Sequence, residues 1–88
     1  LSTQQVESKA YLLLEDAGAL FTVNSAIAAY EGNKARVMDV LFSTESEDRA
    51  VSFTLDVVTQ TVSDIEINGD TDFPYTPSFE GFVNWVRK

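Results

Sequence analysis

Eighty-eight residues with 44% apolar and 11% aromatic side chains are enough for one hydrophobic core and argue against disorder. Fourteen carboxylates face six basic side chains, a net charge of -8, so phosphate backbones and anionic membranes are repelled. There is no cysteine and no histidine. A disulfide framework, a thiolate metal site and imidazole chemistry are therefore all excluded.

Residues 1–88 are thus expected to form a single acidic α+β domain. Its field favours a protein partner with a basic surface, a cation, or a site that otherwise holds nucleic acid. Acidity that serves only solubility is the plainer alternative. No apolar run approaches the roughly 18 residues a membrane helix needs, so no membrane partner is expected. A chain that starts at Leu1 rather than Met is expected of a processed product or an excised piece. The setting is read as soluble, with the cytoplasm favoured and a processed secreted form the alternative.

The spacing predicts helix from Ser2 to Glu31. Ser2 and Gln5 fit a capping box. Val6, Ala10, Leu13, Ala17, Leu20 and Ile27 fall on one stripe, interrupted at Asn24. An unbroken helix of that length would run about 42 Å, against about 27 Å for the strands that follow. A bend or break at Gly18 or across Thr22–Ser25 is therefore expected, with Gly32-Asn33 as the C-terminal stop.

A hairpin comes next. Met38, Val40 and Phe42 form one apolar set, and Val51, Phe53, Leu55 and Val57 form the other. Turning both sets inward pairs Phe42 with Val51 and Val40 with Phe53. Asp39 then lies opposite Thr54 and Val37 opposite Asp56, and Glu45-Ser46-Glu47-Asp48 is a four-residue loop. In a third strand Ile65 and Ile67 point inward and Asp64 and Glu66 outward, with a bulge or wide turn near Thr59-Gln60-Thr61. After Asn68-Gly69 the chain reads as irregular through Phe73–Pro77. Ser78 then caps a short helix with Phe79, Phe82, Val83 and Val86 on its apolar face. The predicted fold is an N-terminal helix, bent or broken, on a three-stranded antiparallel meander with a short C-terminal helix.

Autonomous catalysis is not expected. The serines have no imidazole to take their proton, and Lys9, Lys34 and Lys88 occupy positions that read as exposed. No glycine-rich phosphate loop occurs among the four glycines. The run from Asp64 to Gly69 imitates the start of an EF-hand, but Tyr75 stands where the bidentate Glu is needed. Asp70 and Asp72 carry no specific metal signature. Neither cofactor nor metal is therefore expected.

The outward sheet face is the best candidate for contact. Asp39, Asp56, Asp64 and Glu66 supply charge there, and Leu41 and Val58 supply apolar area. Alternatives are a plainly solvated face, or a face covered by Phe73, Tyr75 or the terminal helix. Trp85 falls off its helix stripe and is a candidate anchor, with the 70–77 loop as a further contact.

The stretch Ala50–Val62, an extended strand ending in Asp56, then two residues, Thr59, a turn and Val62, resembles the hairpin of PepSY-type domains. That resemblance implies a small accessory or inhibitory domain, often outside the cytoplasm and associated with peptidases. The composition itself points to a non-enzymatic interaction or regulatory domain with an acidic surface. A nucleic-acid mimic or inhibitor is the sharper variant, and a cation-binding module of a larger enzyme or secreted protein the alternative.

Overall fold

Helix α1 covers Thr3–Asp16 and begins where the capping box places it. The Gln5 amide donates to Ser2 Oγ at 3.1 Å, and the Ser2 amide donates to Gln5 Oε1 at 2.8 Å. Val6, Ala10 and Leu14 are its buried residues, whereas Leu13 and Ala17 are only partly buried. Gly18, at φ +82°, carries the chain out of the helix in the left-handed region that costs an L side chain most.

Here the computed structural model, which describes residues 1–67 and 78–88, departs from the sequence reading. The predicted continuation of the helix is instead a strand, β1 (Ala26–Glu31), which adds a fourth strand to the expected three. Its inward residues, Ile27 and Ala29, alternate with Ala26, Ala28 and Tyr30 as a half-buried strand requires. Gly32-Asn33 is accordingly not a helix cap. Glu31 pairs with Lys34, so these two residues are a tight hairpin turn with Gly32 at φ +54°.

Strands β2 (Lys34–Ser43), β3 (Asp48–Asp56) and β4 (Thr61–Ile67) complete an antiparallel sheet in the order β1-β2-β3-β4. Helix α2 (Phe79–Val86) closes the described chain, with Ser78 Oγ accepting from the Gly81 amide. Both helices lie on one sheet face. Phe53 meets Phe82 and Phe79 of α2 at ring distances of 4.8 and 6.3 Å, and Val6, Ala10 and Leu14 of α1 join the same core. Arg49, reaching from β3, donates to the Val86 carbonyl at 2.9 Å, a cation at the negative end of α2.

The hairpin register differs from the predicted one. Val40 pairs with Val51, Phe42 with Arg49 and Ser43 with Asp48, so the connecting loop is Thr44–Glu47. Val37 pairs with Phe53, Arg36 with Thr54 and Lys34 with Asp56, which replaces the expected Asp39–Thr54 and Val37–Asp56 pairs. The cause is a bulge at Met38–Asp39, opposite Ser52. Asp39 sits at φ +52°, and its amide donates to Ser52 Oγ at 3.1 Å. The extra residue reverses the inward parity. Ala35 and Val37 are buried before it, Val40 and Phe42 after it, and Met38 is turned out.

β4 repeats the device. Leu55 pairs with Val62 but Ser52 with Glu66, and Asp64 at φ +49° is the inserted residue. The bulge expected near Thr59–Thr61 therefore lies within the strand. The preceding turn is a four-residue loop, Val57–Gln60, with Gln60 at φ +56°. Two bulges, both carried by aspartate in a backbone region that Asp and Asn tolerate, thus flank the central strand.

Between α1 and β1 the chain makes an excursion. Leu20 exchanges both backbone hydrogen bonds with Leu41, at 2.8 and 2.9 Å, and Ser25 Oγ donates to the Asp39 carbonyl at 2.7 Å. Val23, between them, is 99% exposed.

Candidate functional site

The sheet face opposite the helices is built from the residues that alternate with the core set. Ser52 and Thr54 occupy its centre on β3 and are buried, although neither α1 nor α2 packs on this face. One row runs Asp39–Ser52–Glu66 across three strands, and the next runs Arg36–Thr54–Ser63. At about 4.8 Å per strand, Asp39 and Glu66 stand roughly 10 Å apart on either side of a small, buried serine. Asp64 lies beside them at the β4 bulge. Among the described residues neither the Asp39 nor the Asp64 carboxylate accepts a hydrogen bond or forms an ion pair; both side chains are exposed.

Arg36 is the residue that the predicted register concealed. Its Nη1 donates to Thr54 Oγ1 at 3.3 Å and to the Asp64 carbonyl at 2.7 Å, and its Nη2 lies 3.9 Å from Glu66 Oε2. A β2 guanidinium therefore lies over β3 and grips the β4 bulge. It neutralises Glu66 in part and leaves Asp39 and Asp64 as the open charges of the face. The signal was a lone arginine between two inward residues, Ala35 and Val37.

The structure brings Asp39, Asp64, Glu66 and Leu41 onto this face. Leu41, half-buried, lies next to the acidic row and pairs with Ala50. Asp56 belongs to the turn instead. Its Oδ1 accepts from the Val58 and Thr59 amides, both at 3.0 Å. The Thr59 amide above all, then the Val58 amide, the Thr59 hydroxyl and the charge of Lys34, hold its carboxyl below the usual carboxylate range, with burial acting in the opposite direction. Trp85, 47% exposed, rides on α2, so it lies on the helix side and not with the carboxylates. Cover of the open face by the terminal helix is ruled out by the same placement. The expectations for Asp70, Asp72, Phe73, Tyr75 and the 70–77 loop fall on residues 68–77, outside the described residues.

Because the folded Asp56 carboxyl titrates lower than in the unfolded chain, its contribution to stability is present above the ordinary aspartate pKa and lost as pH falls through the folded value. Protonation of the many other acids relieves repulsion at the same time, so the difference from Asp56→Asn isolates the effect. The stability gap between the parent and Asp56→Asn should be constant above about pH 5 and shrink below about pH 4, followed by urea unfolding at each pH. A gap independent of pH would show that the charge contributes nothing to the turn.

Among the described residues the other acids are dispersed. Glu15 and Asp16 lie on α1, Glu31 ends β1, Glu45 and Glu47 sit on the hairpin loop, and Glu80 opens α2. Among the described residues no three acidic side chains converge as a metal ion would require. No described helix is long and apolar enough to cross a membrane. Comparison with family models, with curated proteins and with solved structures gave no match.

Proposed function

We propose that this chain is a non-enzymatic protein-interaction or regulatory domain that presents its open sheet face to a partner with a basic surface. The carrying observation is the row Asp39–Ser52–Glu66 with Asp64 beside it, on a face that neither helix covers. Exposed carboxylates around small buried residues, with Leu41 and Met38 adjoining, make a polar-rimmed patch that a lysine- or arginine-rich surface complements. Placement of Asp39 and Asp64 on bulges fixes their backbones, so little ordering cost is left for binding. Spread of the remaining described acids over both helices and the hairpin loop favours a local patch over a phosphate-like strip.

The test removes charge without disturbing the backbone, using Asp39→Asn, Asp64→Asn and Glu66→Gln together. Immobilised parent domain should retain a basic protein from an extract of the source cells at about 50 mM salt and release it at about 500 mM. The triple variant, equally stable, should retain less than about a tenth as much, because several charge pairs are lost together. Equal retention by the two would remove the sheet face from consideration.

A further inference from the structure

A second surface, separate from the open face, lies where β1 borders α1. β1 is an edge strand, and no described strand pairs with its outer side. Its outward backbone groups are identified by one contact: the Ala29 amide donates not to β2 but to Glu7 Oε2 of α1, at 3.0 Å. Antiparallel alternation puts the Ile27 amide on the same outer side. The groove beside it is lined by Glu7, Ser8, Tyr11, Leu12 and Ile27. Tyr11 is held there by stacking on Phe21 at 4.8 Å, and Leu12 is 58% exposed with no core role.

We infer that β1 accepts an extended, lysine- or arginine-bearing peptide as a fifth strand, with Glu7 as its charge-reading residue. The Glu7 carboxylate occupies the place of a neighbouring strand's carbonyl and satisfies one edge amide. An incoming strand would supply its own carbonyl to Ala29 and displace that carboxylate. The displaced charge then needs a cation, and a basic side chain on the incoming strand provides it. A second copy of this chain is the disfavoured occupant, since it would bring another net charge of -8 and its own Glu7 to the same edge. Alternate apolar side chains on the incoming strand would fall against Tyr11, Leu12 and Ile27.

The probe is an acetylated, amidated octapeptide, Thr-Val-Thr-Lys-Thr-Val-Thr-Lys, in which valine and lysine share one strand face, titrated into the full chain and followed by amide NMR and hydrogen exchange. Binding should slow exchange at the Ile27 amide at least about tenfold at saturation, as a newly formed ladder hydrogen bond does. The same peptide with glutamate for lysine should leave it unchanged. Glu7→Gln keeps an acceptor for Ala29 but no charge, and should weaken the lysine peptide by roughly threefold to fivefold, the size of an exposed ion pair. Ala29→Pro removes an amide that serves no β2 bond, which an edge strand tolerates, and should abolish binding. If Ala29→Pro fails to fold by circular dichroism, the Glu7→Gln and reversed-charge results decide. Unaltered Ile27 exchange, equal binding of both peptides, or a dimer formed through β1 in sedimentation would overturn the proposal. Shifts confined to Ser52 and Glu66 would overturn it while leaving the sheet-face reading intact.

Discussion

Phe53→Ala should cost about 3–5 kcal/mol, the largest loss expected of any single truncation here. Phe53 is wholly buried at the centre of β3 and is the sheet residue on which α2 rests, through Phe82 and Phe79. Its removal leaves a cavity that neither helix can collapse into without abandoning other contacts. The stability of a chain this size is on the order of 5–10 kcal/mol, so the variant should sit near the edge of folding. Thermal unfolding should register it as a drop of roughly 4–8 °C for each kcal/mol lost. Phe53→Leu keeps most of the apolar volume and should lose far less. A loss below about 1 kcal/mol for Phe53→Ala would mean that α2 does not depend on this ring.

The second large effect concerns the bulges. Asp39→Val and Asp64→Val each place a β-branched residue at a left-handed φ, near +50°. Each should cost about 1–3 kcal/mol. Asp39→Gly and Asp64→Gly should match or exceed the parent, because glycine adopts this region without a Cβ clash, against a modest entropic penalty. Asn should fall near the parent. Urea unfolding of the six variants would show the ordering Gly or Asp or Asn above Val at both sites. Loss of the β2 bulge has a further consequence, since straightening the strand by one residue would turn Val40 and Phe42 to the open face. An unchanged midpoint for both Val variants would mean that the bulges are not where the backbone places them.

The parts of this fold that local chemistry dictates were legible in the sequence. The Ser2–Gln5 box, the Ser78 cap and the stripe Phe79, Phe82, Val83 and Val86 stand as read, because each depends only on neighbours within four residues. The inward sets of β3 and β4 stand for a similar reason, being period-two runs of large apolar side chains. β1 was hidden because Ala26, Ala28 and Ala29 favour helix by propensity and extend a helical stripe with Ile27, and only the Gly32-Asn33 turn signalled a strand. The bulges were hidden because aspartate, unlike glycine, gives no mark of a left-handed backbone. From that one omission at Asp39 came the slipped register, the misplaced partner of Asp56 and the unseen reach of Arg36. Of the candidate contact residues, those whose position follows from simple alternation, Glu66 and Leu41, reached the face as expected. Asp56 was claimed by its turn through two backbone amides, and Trp85 by the opposite layer.

The stretch from Phe21 to Ser25 is pinned at both of its mouths, by the Leu20–Leu41 exchange and by the Ser25 hydroxyl on the Asp39 carbonyl. Whatever is spliced in at Val23 hangs outside that clasp, and each doubling of such a loop adds only about 0.6 kcal/mol of closure entropy. The apex at Val23–Asn24 is therefore the natural attachment point for a fluorescent reporter or for relocated chain ends.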